Sequence, residues 1–155
     1  MLDIDFPELE TIHNKIDKTD LYEDDTNKYG LENKSHITLL YGLHKGVSLK
    51  DVEDSLTNIN IPAKLKLTKI SLFENEKYDV LKFDVKIDSL GKINKKLSEL
   101  PYTSEYDEYK PHVTIAYLKK GKGKKYTDKF KDLNYEVKTT KVRYNEASGD
   151  KHVLK

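Results

Sequence analysis

The chain has 155 residues, enough to bury roughly two-thirds of its unfolded surface. Charged residues make up 35% and hydrophobic ones 36%, but the apolar residues fall in periodic runs, which argues against disorder. A formal net charge of +1 gives no global field to draw the protein to nucleic acid or membrane, so any anion site must be local. Cysteine is absent, which removes disulfides, thiol nucleophiles and Cys-ligated zinc.

In chain order, Pro7 to Lys18 reads as a short helix with Leu9, Ile12 and Ile16 on one face. "DLYEDDTNKYG" reads as a loop, and the first strand is expected at about Ser35 to Tyr41. "SLKDVEDSLTNI" predicts a helix capped by Ser48, with Asp51 in the capping-box position and an apolar stripe of Leu49, Val52, Leu56 and Ile59. "AKLKLTKISLF" alternates up to Leu67 and then slips phase around Thr68 and Lys69, which predicts a bulge or bend. "VLKFDVKID" reads as a half-buried strand, with Leu81, Phe83, Val85 and Ile87 inward and Lys82, Asp84, Lys86 and Asp88 outward. A second helix carries Leu90, Ile93, Leu97 and Leu100, the spacing of the first stripe. Then come a strand "PHVTIAYL", a turn "KKGKGKK", a helical candidate "YTDKFKDL", a strand "YEVKTTKVRY" and a closing segment "KHVLK". The first ten residues lack a secretory pattern and no run reaches membrane-spanning length, so a soluble cytosolic protein is expected.

"SHITLLYG" and "PHVTIAYL" repeat one arrangement. Side chains alternate faces along a strand, so His36 and Thr38 share a face, as do His112 and Thr114. Ile37, Leu39 and Tyr41, like Val113, Ile115 and Tyr117, take the opposite, apolar face, which places both tyrosines in the core. With two strand-helix stretches of similar spacing, the chain looks like two related α+β lobes within one domain spanning residues 1 to 155. A pseudo-two-fold axis would bring the pairs together across a central cleft. One neutral imidazole could then accept the proton of an attacking hydroxyl while an imidazolium protonates the departing oxygen. The threonine hydroxyls would donate to phosphoryl oxygens as charge builds. A single His-x-Thr carries no information, and the weight rests on the repetition. The five histidines show no zinc-ligand spacing, and there is no G-x-S-x-G elbow for a serine nucleophile.

The paired motifs, with "GLENKSHITLLYGLHKGV", "LFENEKYDVLKFDV" and "YKPHVTIAYLKKGKGKKY", resemble the 2H phosphoesterase superfamily, and within it the phage anti-CBASS phosphodiesterases, over about residues 20 to 145. The resemblance implies a bilobal α+β fold, with two lobes of antiparallel sheet and flanking helices around the cleft. It implies cleavage of cyclic di- and trinucleotide alarm signals by attack of a ribose 2′-hydroxyl on its own 3′-phosphate, with no metal or other cofactor. His36 and His112 would be base and acid, in an order the sequence leaves open, and Thr38 and Thr114 the phosphate donors. Tyr22, Phe73 and Glu146 are candidate nucleotide contacts, each with a plain structural alternative as loop anchor, core residue and solvated carboxylate. Lys119, Lys120 and Lys122, with Lys124 and Lys125, either attract the polyanion or form a solvated turn. The alternatives kept open are an enzyme acting on RNA 2′,3′-cyclic phosphate ends or 2′–5′ linkages, and a non-catalytic nucleotide sponge. No membrane or stable protein partner is implied.

Overall fold

The computed structural model describes residues 1–26, 28–104, 108–146 and 149–154. The chain is α+β, with two antiparallel sheets and a few short helices. The first sheet holds β1 (Leu2–Asp5), β2 (His36–Ile37), β3 (Lys64–Leu67) and β7 (Tyr135–Asn145) in the order β2-β1-β7-β3. β8 (Lys151–Val153) pairs with the end of β7. The second sheet is β4 (Lys69–Glu74), β5 (Tyr78–Asp84) and β6 (His112–Lys119), with β5 central. The helices are α1 (Leu9–His13), α2 (Leu49–Ser55), α3 (Asp88–Leu97) and α4 (Lys124–Lys129).

The phase slip at Thr68 is where the chain leaves one sheet for the other. β3 ends at Leu67, paired with Tyr135 of β7, and β4 begins at Lys69, paired with Asp84 of β5. α2 forms where its capping box predicts: the Ser48 side chain accepts from the Asp51 amide, and the Asp51 carboxylate accepts from the Ser48 amide. Val52 and Leu56 are buried from its stripe, while Leu90, Ile93 and Leu97 are buried from α3. Each such side chain contributes about 1.5–3 kcal/mol. Apolar residues from both sheets and the helices join in one cluster.

The N-terminal strand β1 is unforeseen. Leu2 and Ile4 point to the core while Asp3 and Asp5 alternate outward, and β1 lies between β2 and β7. The first predicted strand is correspondingly shorter, pairing with β1 only at His36 and Ile37, although Leu39 stays buried beyond it. Tyr41 is 67% exposed and not core, because the chain turns away after Leu39.

A bulge corrects Tyr117 as well. Leu81 pairs with Ala116 and Lys82 with Thr114, so Ile115 has no opposite residue. Ile115 and Ala116 are both buried, and Tyr117, opposite Val80, returns to the face of His112 and Thr114. There it packs with Tyr29 and Tyr78, and Tyr22 joins the group through the same two rings. Two passes of the chain cover the outer edge of β6. The Tyr22 amide donates to the Tyr117 carbonyl, the Tyr117 amide to the Gly30 carbonyl and the Glu32 amide to the Ile115 carbonyl. Running on antiparallel to β6, the second pass brings His36 alongside His112, and β2 contacts β6 without forming a ladder with it.

Candidate active site

Each histidine is fixed by its own backbone. The His36 Nδ1 donates to the carbonyl of Lys34 at 2.8 Å, and the His112 Nδ1 donates to the carbonyl of Lys110, also at 2.8 Å. A carbonyl can only accept, so Nδ1 carries the proton in both rings and Nε2 is left to exchange protons with a ligand. Both histidines and both threonines are half-buried. His36 is close enough for its charge to act on His112.

Behind each histidine the same layer recurs. Asp3 is the cross-strand partner of His36, and Asp84 that of His112. Asp3 is gripped by the chain's sole arginine: Arg143 Nε donates to Oδ2 at 2.6 Å and Nη2 to Oδ1 at 2.7 Å. Arg143 is thereby committed to a carboxylate rather than presented as a free phosphate fork. Asp84 accepts from Lys82 Nζ and from Ser71 Oγ, while Lys82 also donates to Ser71 Oγ at 2.6 Å.

Lys82 is the main correction in this region. The alternation that assigned it to solvent holds, but the face it occupies is enclosed, and Lys82 is only 4% exposed. Burying an unpaired ammonium costs several kcal/mol, which the Asp84 and Ser71 contacts offset. Its remaining side is taken by the Phe73 ring, 4.1 Å from Nζ, and that ring meets the His112 ring edge-on at 4.9 Å. Burial alone would raise the Asp84 carboxyl, but the hydrogen bonds from Lys82 and Ser71 outweigh it and hold Asp84 below the usual range. Burial is the main cause that keeps His112 below the ordinary imidazole value, and the Lys82 and His36 charges add to it. The Lys110 bond and Asp84 oppose the shift.

Of the other candidates, Phe73 is brought against His112. Glu146 faces His152 at 3.4 Å and lines a cavity of about 560 Å³ that Thr38 also borders. Tyr22 lies on the His112 side of β6 but among the tyrosines beyond the bulge. The lysine turn is not brought to the pairs: β6 separates His112 from Lys119 by roughly 23 Å at about 3.3 Å per residue. Its groups have structural work there. The buried Asp79 accepts from the Gly121 and Gly123 amides at 3.1 Å, with Lys120 at 3.9 Å, and Lys125 pairs with Asp20 at 2.5 Å. Lys119, Lys122 and Lys124 are exposed.

The loop before the second pair is stitched to the first. The Tyr109 hydroxyl donates to the Thr38 carbonyl at 2.9 Å, the Thr103 amide to the Gly42 carbonyl at 2.9 Å, and the His44 amide to the Pro101 carbonyl at 3.0 Å. Residues 105–107 lie outside the described residues. Among the described residues, no three His, Asp or Glu side chains group as metal ligands would, and no helix is long and apolar enough to cross a membrane.

Fold and site together define an α+β protein with two antiparallel sheets, each presenting a backbone-oriented His-x-Thr pair. The family model of the anti-CBASS protein Acb1 matches residues 14–152, both pairs included, and the chain belongs to that family. Membership implies an anti-CBASS function on the side of a phage, and is consistent with an enzyme that degrades cyclic nucleotides. A search of curated proteins returns no match.

Proposed function

We propose that the protein is a metal-independent phosphodiesterase of the 2H type, one bilobal domain that opens 3′,5′ bonds of cyclic di- and trinucleotide signals in the host cytoplasm. The observation that carries this reading is the twin Nδ1-to-carbonyl bond, which orients two imidazoles alike on neighbouring strands, each followed two residues later by a threonine. One Nε2 takes the proton of a ribose 2′-hydroxyl as its oxygen attacks the adjacent 3′-phosphorus. The 2′-O–P bond forms, the P–O5′ bond breaks, and the other Nε2 delivers a proton to O5′. Water then opens the 2′,3′-cyclic phosphate to a phosphomonoester, with the proton transfers reversed. Thr38 and Thr114 donate to the non-bridging oxygens. Phe73 borders the nucleotide at His112, and Glu146 lies beside the cavity on the Thr38 side. Tyr22 remains a candidate for base stacking, and Lys119, Lys120 and Lys122 for distant attraction of the anion.

Incubation with 3′,3′-cyclic GMP–AMP in EDTA, with products resolved by chromatography, tests the proposal. A linear dinucleotide is expected, ending first in a 2′,3′-cyclic phosphate and, after hydrolysis, in a phosphomonoester. An intact ring, alongside cleavage of a 2′,3′-cyclic mononucleotide or RNA end, would replace this function with RNA-end processing. Binding without turnover of either probe would make the protein a sponge.

A further inference from the structure

The two histidines share a backbone bond and a cross-strand aspartate, but only one of the two surroundings includes a buried lysine stacked on an aromatic wall. The groups facing His112 are Lys82 and Asp84 from β5, Phe73 and Ser71 from β4, with Lys69 opposite Asp84, and His36 from β2. The Lys82 ammonium is held by Asp84 and Ser71 and lies over the Phe73 ring, which meets the His112 ring in a T-shaped contact. Among the described residues no aromatic ring packs on His36 in this way. On the His36 side Asp3 is held by Arg143 in a two-bond fork.

Resting on the phosphodiesterase reading, we propose that Lys82 is a positioning residue that holds the Phe73 wall and a fixed positive charge beside His112, which makes His112 the proton acceptor and His36 the proton donor. A cation behind a desolvated ring disfavours a second positive charge on that ring, so His112 waits with its Nε2 lone pair free. The 2′-hydroxyl proton passes to His112 Nε2, and the proton on His36 Nε2 passes to O5′. For the ring-opening step the charges balance: one proton enters at His112 and one leaves from His36.

The test follows the His112 ring by NMR and, in parallel, the pH profile of kcat/KM for 3′,3′-cyclic GMP–AMP, in the full chain. Lys82→Gln removes the cation and leaves the Asp84 carboxylate, so the His112 midpoint is expected to rise by about one pH unit, and the acid limb of the profile with it. Asp84→Asn removes the carboxylate and leaves the cation, so both are expected to fall. Movement of the alkaline limb instead would make His112 the donor and overturn the assignment. A uniform loss of rate with neither midpoint nor limb displaced would reduce Lys82 to packing. Should Lys82→Gln fail to fold, the downward shift in Asp84→Asn decides, and its absence overturns the proposal. If no version of the protein opens the ring, the phosphodiesterase reading and the acceptor assignment fall together. The NMR titration would then still decide whether Lys82 acts on His112.

Discussion

The two His-Thr stretches make the same local hydrogen bond from unequal supports. The second lies on the eight-residue strand β6, paired to β5 along its length. The first has only two residues in a strand, after which the chain turns off and is stitched to the 101–104 loop. What the halves share is a carbonyl two residues before the histidine, so ring orientation depends on the local backbone and not on a long ladder. What they do not share is the layer behind: an arginine fork on Asp3 in one, a lysine between carboxylate and phenyl ring in the other. The carbonyl bond orients both rings alike, while burial and the Lys82 charge keep His112 below the ordinary imidazole value against the opposing effect of that bond and of Asp84.

The largest expected effect tests whether both halves are needed. His36→Ala and His112→Ala should each lower ring opening by about 10²–10⁴-fold, with affinity for the ring, measured by calorimetry, nearly unchanged. A variant that keeps full turnover would remove that half from the chemistry. The stitching is probed next. Gly42 sits at φ +88°, and a Cβ there would stand 2.0 Å from the Thr103 carbonyl oxygen. Gly42→Ala should therefore cost about 1–3 kcal/mol, seen as a lower Tm by calorimetry, as the two loops are forced apart. Tyr109→Phe is milder. Burial pushes the Tyr109 phenol up, so it stays a protonated donor to Thr38 across the neutral range. Its loss should cost about 1 kcal/mol. If the first half depends on this bond for register, kcat should fall more than KM rises.

Much of the scaffold was legible because its signals are local. The Ser48–Asp51 box, the stripes of α2 and α3 and the phase slip at Thr68 each depend on neighbouring residues, and each stands in the structure. The strand β1 is hard to read from the sequence because it is four residues long, and its alternation rests on Leu2 and Ile4 alone between Asp3 and Asp5. Lys82 and Asp84 escaped because a polar face toward solvent and a polar face toward a cleft have identical alternation. Only the third dimension distinguishes them. Tyr117 was misplaced for a different reason: a one-residue bulge inverts parity, and nothing in "HVTIAYL" announces it.

β2 and β6 lie side by side and do not pair. Had they paired, the sheets would have fused into one, with the strands about 4.8 Å apart. The seam is instead left unzipped at the rungs that carry His36 and His112, while Leu21 and Tyr22, with Gly30, Leu31 and Glu32, close the edge of β6 further along. Open strand edges invite pairing with foreign chains. Here the two bare lips lie against each other, so each covers part of the other's unpaired edge.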